Sequence, residues 1–129
     1  MQLRGGVQAG EIVVDGSQSS QYISGLLMGL PLLASDSVLV VENGVSLPYI
    51  QMTLNTLTSF GIAINQVENR YYIQGNQAYR PATYVVEGDW SSASYWLVAS
   101  ALGQNIKVNG LTLESLQADK AILEAFESA

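Results

Sequence analysis

Two stretches of this chain set hydroxyls and free backbone N–H groups where they could hold an anion. Residues 14–20 read Val-Asp-Gly-Ser-Gln-Ser-Ser, and residues 86–92, 72 positions later, read Val-Glu-Gly-Asp-Trp-Ser-Ser. Each puts an apolar strand, an acidic residue, a glycine and a serine pair directly before a strongly apolar helix. Unpaired N–H groups at a helix start, the helix dipole and adjacent hydroxyls all favour a negative group, phosphate above all. Other chemistries are excluded by composition. The chain has no histidine and no cysteine, which removes the usual general base, the commonest metal ligand, thiolate reactions and disulfides. A net charge of −6 argues against a nucleic-acid partner, and the five basic residues (Arg4, Arg70, Arg80, Lys107 and Lys120) do not cluster. An anion site in so acidic a chain needs cations from elsewhere.

The elements that must position these groups follow from periodicity and turn residues. A length of 129 residues with 48% hydrophobic and 12% charged side chains describes a compact globular protein with little room for disorder. No apolar run approaches the roughly 20 residues of a membrane span. The longest, residues 23–34, is broken by Ser24, Gly25, Gly29 and Pro31. The opening MQLRGG has no apolar core of a signal peptide.

The β-branched residues 11–15 predict a strand, and Ser17 or Ser19 caps a helix running to about Leu33. A second strand is expected over 38–42, followed by the Asn43-Gly44 turn. Pro48 opens a helix carrying Ile50, Leu54, Leu57 and Phe60 at helical spacing, and Gly61 closes it. Residues 62–66 and 70–74 then alternate as a hairpin around Glu68-Asn69.

A second copy repeats the first four elements. It predicts a strand at 83–86, an apolar helix at 91–101, a strand at 105–108, the Asn109-Gly110 turn and a helix at 114–126. The closing hairpin has no counterpart there, which reads as a segment of a longer protein. Both first helices, residues 22–33 and 93–102, are apolar on nearly all faces, so buried helices with outward-facing sheets are expected. The fold class is thus α/β (α+β), with a complete βαβαββ unit over 1–81 and an incomplete βαβα unit over 82–129.

At this point the chain resembles the 5-enolpyruvylshikimate-3-phosphate synthase family of enolpyruvyl transferases. The matching stretches are LRGG at 3–6, VDGSQSSQYISGLLMGLPL at 14–32, SLPYIQMTLNTLTSFG at 46–61 and YVVEGDWSSASYWL at 84–97. The resemblance implies two lobes built of βαβαββ units around buried helices, with the active site between the lobes. This chain would supply the last unit of the first lobe and an incomplete first unit of the second, with the crossover near residues 82–89. It also implies a cytoplasmic enzyme of aromatic amino acid biosynthesis, monomeric as a whole, without cofactor or metal. The reaction moves the enolpyruvyl group of phosphoenolpyruvate to the 5-hydroxyl of shikimate-3-phosphate.

Carried over residue by residue, the resemblance assigns Ser19, Ser20, Gln21, Ser46 and Tyr49 to shikimate-3-phosphate. Helix capping alone would account for Ser17, Ser19 and Ser20, and it suffices for Ser91 and Ser92. Asp89 stands where the first copy has Ser17, and a carboxylate there repels phosphate. Leu47 replaces the polar residue common beside this proline in the family. Trp90 and Trp96 are expected to pack, and Gln117 and Asp119 receive no role. No catalytic residue of the family maps onto this chain, so the segment alone is expected to be inactive. The alternatives are an autonomous phosphate-ligand binding module and a purely structural module in which every serine is a cap. Unpaired edges are expected to drive self-association of the segment.

Overall fold

A computed structural model describes residues 5–128. Leu3 and Arg4 of the LRGG stretch lie outside the described residues. The chain forms two compact units, one ending at Thr83 and the other beginning at Tyr84.

The first unit runs β1 (Glu11–Asp15), α1 (Ser20–Gly29), β2 (Ser37–Glu42), α2 (Leu47–Ser59), β3 (Ile64–Val67) and β4 (Arg70–Ile73). Its four strands lie in the order β1-β2-β4-β3. β1 and β2 are parallel, with Asp15 opposite Glu42, and β2–β4 and β4–β3 are antiparallel. One sheet face carries Leu39 and Val41 of β2 with Tyr71 and Ile73 of β4. These pack on Ile23 and Leu27 from α1, on Leu30 just after it, and on Ile50 and Leu57 from α2 with Leu54 partly buried beside them, closing one core with Ile62. Each helix therefore spends one stripe, spaced four and then three residues apart, on the sheet.

The expected helix to Leu33 ends as α-helix at Gly29, and a single 3-10 turn carries on over Leu30–Leu32. Pro31 has no N–H to extend the α-helical ladder. α2 starts with Pro48 in its first turn and stops at Gly61, whose φ of +82° suits a residue without a Cβ. The hairpin closes at Glu68-Asn69 as its alternation predicts.

The second unit holds α3 (Trp90–Ala101), a 3-10 turn over Ala118–Ala121 and α4 (Ile122–Glu127). Here the sequence reading is corrected in four respects. Residues 83–86 and 105–108 are not strands, because a strand is held by its ladder and no described segment pairs with them. The helix expected over 114–126 is reduced to the 3-10 turn and α4, since Ser115 and Gln117 are buried in a non-helical turn that uses their side chains. Asp89, and not Ser91 or Ser92, caps α3. Finally, α1 and α3 are not enclosed. The sheet covers one stripe of α1 and leaves Tyr22 and Met28 exposed, and in α3 Tyr95 and Trp96 are exposed at 77% and 59%. Trp90 packs as expected, 2% exposed. Trp96 does not.

Among the described residues no helix is long and apolar enough to cross a membrane.

Candidate functional site

Because β1 and β2 are parallel and end level with each other, the loops that follow them bring two helix starts side by side. Those loops are tied together. The Gly16 N–H donates to the Glu42 carbonyl at 2.7 Å, and the Val45 N–H to the Gly16 carbonyl at 3.4 Å. Open α/β sheets place ligands in this region, beyond the carboxyl ends of parallel strands.

The acidic and serine residues of the first motif divide the work at the α1 start. The Asp15 carboxylate accepts from the Ser17 N–H and from the Ser17 hydroxyl, each at 3.0 Å, closing the turn before the helix. Ser19 is the N-cap, in extended backbone, and its hydroxyl accepts the Gln21 N–H at 3.1 Å. Ser20 is thereby the first helical residue and has no capping duty. No acidic side chain stands in the first turn of α1, so nothing there competes with an incoming anion for the dipole.

At the α2 start Ser46 takes a left-handed conformation, φ 56° and ψ 40°, and makes no side-chain cap. Such a conformation costs a non-glycine residue about 1–2 kcal/mol and is found where surrounding structure imposes it. The Tyr49 N–H donates to the Ser46 carbonyl at 3.0 Å and closes that turn.

All five candidate residues line one cavity of about 760 Å³ between α1 and α2. Ser19, Ser20 and Gln21 come from one wall, and Ser46 and Tyr49 from the other. Gln21, Ser24, Gly25 and Met28 continue the first wall, and Tyr49, Met52, Thr53 and Thr56 the second, all at one-face helical spacing. The lining carries hydroxyls, amides and thioethers but no charged side chain. Arg70, in the same unit, is engaged with Glu11 at 3.1 Å across the sheet. Sequence reasoning missed Ser24 and Thr53. Nothing in their types set them apart, since α2 also carries Gln51, Asn55, Thr56 and Thr58, and α1 also carries Ser20 and Gln21.

The second motif is built differently. The Asp89 carboxylate accepts from the N–H groups of Ser91 (3.0 Å) and Ser92 (3.3 Å) and from the Ser92 hydroxyl. A carboxylate thus already occupies the position an anion would take. Behind it, buried Gln117 accepts the Trp90 N–H at 2.8 Å and donates to the Gly88 carbonyl at 2.9 Å. Lys120 donates to the carbonyls of Leu113 and Ser115, which gives this cation a structural duty.

Both motif carboxylates titrate below the ordinary value near 3.8. Hydrogen bonds from the Ser17 backbone and then its hydroxyl lower Asp15, and the Ser92 hydroxyl is the main cause for Asp89. A depressed folded pKa means that the stabilisation is complete above the ordinary value and is lost as pH falls through the lower folded one. Asp15→Asn should therefore narrow the gap between urea midpoints measured at neutral pH and well below 3.8. An unchanged gap would remove Asp15 from the acid response.

Among the described residues no group of three or more His, Cys, Asp or Glu side chains could hold a metal ion.

With this geometry in place, comparison with known proteins gives the family. The sequence model of EPSP synthase (3-phosphoshikimate 1-carboxyvinyltransferase) matches residues 1–129, and the chain belongs to that family. It is 45% identical over 132 residues to the 3-phosphoshikimate 1-carboxyvinyltransferase of Idiomarina loihiensis, covering 99% of this chain and 31% of that protein. For the enzyme of the same name from Klebsiella pneumoniae the identity is 44% over 131 residues, covering 98% and 31%. For that of Clostridium botulinum it is 42% over 129 residues, covering 98% and 30%. The chain thus spans about a third of the length of the curated relatives it matches.

Proposed function

We propose that this chain contributes the shikimate-3-phosphate site of an enolpyruvyl transferase of the shikimate pathway. The observation that carries the reading is the meeting of Ser19, Ser20, Gln21, Ser46 and Tyr49 around one cavity at two adjacent helix starts. In this reading the hydroxyls of Ser19, Ser20 and Ser46, with the first N–H groups of α1, donate to the phosphate oxygens. Gln21 bonds a hydroxyl or the carboxylate of the ring, and Tyr49 offers an apolar face and a hydroxyl.

The whole protein would transfer the enolpyruvyl group of phosphoenolpyruvate to the 5-hydroxyl of shikimate-3-phosphate through a tetrahedral intermediate, releasing phosphate. That reaction calls for cations around phosphoenolpyruvate and for groups that move protons. The cavity lining has neither, so the complete enzyme supplies them from other segments and this chain alone is catalytically silent. The first unit is then a complete βαβαββ repeat ending one lobe, and the second an incomplete repeat opening the other. The complete enzyme would be a cytoplasmic monomer needing no cofactor.

Calorimetry of the 129-residue chain with shikimate-3-phosphate tests the site. Millimolar or tighter binding is expected, with loss of about tenfold or more in Gln21→Ala, one charge-assisted hydrogen bond being worth about 1.5–3 kcal/mol. A wild-type chain that shows no binding would leave the serines as caps and favour a structural module.

The same reading includes self-association. β1 and β3 are open sheet edges, and Tyr95, Trp96 and Leu102 are exposed on or beside α3. Light scattering should find dimers or larger species; a strictly monomeric, stable chain would exclude this.

A further inference from the structure

Between the two walls of the cavity runs a pair of hydroxyls that the site reading leaves unused. The Ser24 Oγ on α1 lies 2.8 Å from the Thr53 Oγ1 on α2. The Thr53 Oγ1 in turn lies 3.0 Å from the carbonyl oxygen of Tyr49, one turn earlier on the same helix. A carbonyl only accepts, and a threonine hydroxyl has one proton, so Thr53 donates to Tyr49. Its contact with Ser24 must then be donated by Ser24. The two bonds form a directed relay, from Ser24 through Thr53 to Tyr49, and both hydroxyls line the cavity, with Thr53 buried.

We infer that Ser24 and Thr53 are positioning residues for the proposed anion site: their relay fixes the separation of α1 from α2 and holds the first turn of α2, with Tyr49, against the wall that carries Ser20 and Gln21. The inference rests on the site reading above. Its physical basis is that this bond joins α1 directly to α2. The apolar stripes of both helices face the sheet and set each helix's height above it. Apolar contacts are non-directional and tolerate small sideways slips. A hydroxyl pair at 2.8 Å does not, because its energy falls steeply with distance and angle. A ligand held from both walls feels any change of their separation directly, since misplacement of donors weakens every bond at once.

Four single variants and one double test the relay in the 129-residue chain. Ser24→Ala and Thr53→Val each remove one hydroxyl, the second at nearly constant shape, and Ser24→Thr and Thr53→Ser keep it. Shikimate-3-phosphate affinity, read by calorimetry, should fall about three- to tenfold in Ser24→Ala and in Thr53→Val. The double variant should lose no more than the worse single one, as members of one chain of bonds do. Ser24→Thr and Thr53→Ser should bind within about twofold of wild type. Rescue by the hydroxyl-bearing residues separates positioning from mere packing.

A ligand-free readout accompanies it. The carbonyl carbon resonance of Tyr49 should move in Ser24→Ala, because the change reaches it through Thr53, and should return in Ser24→Thr. Full affinity in Ser24→Ala, losses that multiply in the double variant, or an unmoved Tyr49 resonance would each overturn the inference. A wild-type chain without affinity for shikimate-3-phosphate would instead overturn the site reading, and the Tyr49 resonance would still decide the relay.

Discussion

Gln117→Met should unfold the second unit at temperatures where the wild type is intact. Methionine matches glutamine in length and keeps the packing, but it can neither accept the Trp90 N–H nor donate to the Gly88 carbonyl. Two backbone groups are then left unpaired in a site where Gln117 is 7% exposed. Each such group costs about 1–3 kcal/mol, so the pair costs about 2–6 kcal/mol. Trp90 and Ala93 are the buried hydrophobic residues of this unit among those described. A core that small offers little to set against the loss, because even whole domains are stable by only about 5–15 kcal/mol. Hydrogen exchange reads the outcome directly. The amides of α3 should lose their protection in the variant, and their retention at wild-type level would show that the clamp is dispensable.

Ser20→Asp should separate binding from stability with opposite signs. Ser20 is the first residue of α1, lines the cavity and takes no part in capping. A carboxylate there meets the positive end of the helix dipole, which is worth about 0.3–1 kcal/mol to the fold. To a phosphate held at the same helix start it is a like charge. At a separation of about 4 Å and an effective dielectric of about 20, the repulsion is about 4 kcal/mol. That corresponds to roughly a thousandfold loss of affinity. The melting temperature should stay level or rise while shikimate-3-phosphate binding disappears. Unchanged binding would mean that the anion does not sit at the start of α1. A joint fall of both would mean that the substitution had damaged the helix start itself.

The sequence carries the first unit well, and the reason is physical. β1, β2 and the hairpin have β-branched or alternating runs ended by glycine or asparagine, and α2 has Pro48 and Gly61 at its ends, so local preference and tertiary packing agree there. The five candidate side chains come from the caps and first turns of α1 and α2, and the cavity they line follows from two parallel strands ending level. The second unit was misread for the opposite reason. Residues 83–86 have strand-like composition, but a strand is a partnership, and composition says nothing about the partner. Residues 114–126 show helical spacing, yet Gln117 is drawn into a non-local pair of hydrogen bonds with Gly88 and Trp90 that no local pattern announces. The Ser24–Thr53 contact was invisible for a related cause, since it joins residues 29 apart that are unremarkable singly.

One detail is shared by the two units. A Cβ on Gly16 would stand 2.9 Å from a Val41 methyl and 3.0 Å from the Gly44 Cα, and one on Gly88 would stand 2.6 Å from the Gly110 carbonyl oxygen. In both places a glycine after the first acidic residue lies hard against the loop of the following Asn-Gly pair. Among the described residues of the second unit no strand flanks this contact, Ser91 and Ser92 are engaged with Asp89, and the glycine is still pressed against the loop. What the two places share is a glycine packed so closely that no room is left for a Cβ. The first carbon added to either glycine would push the two loops apart.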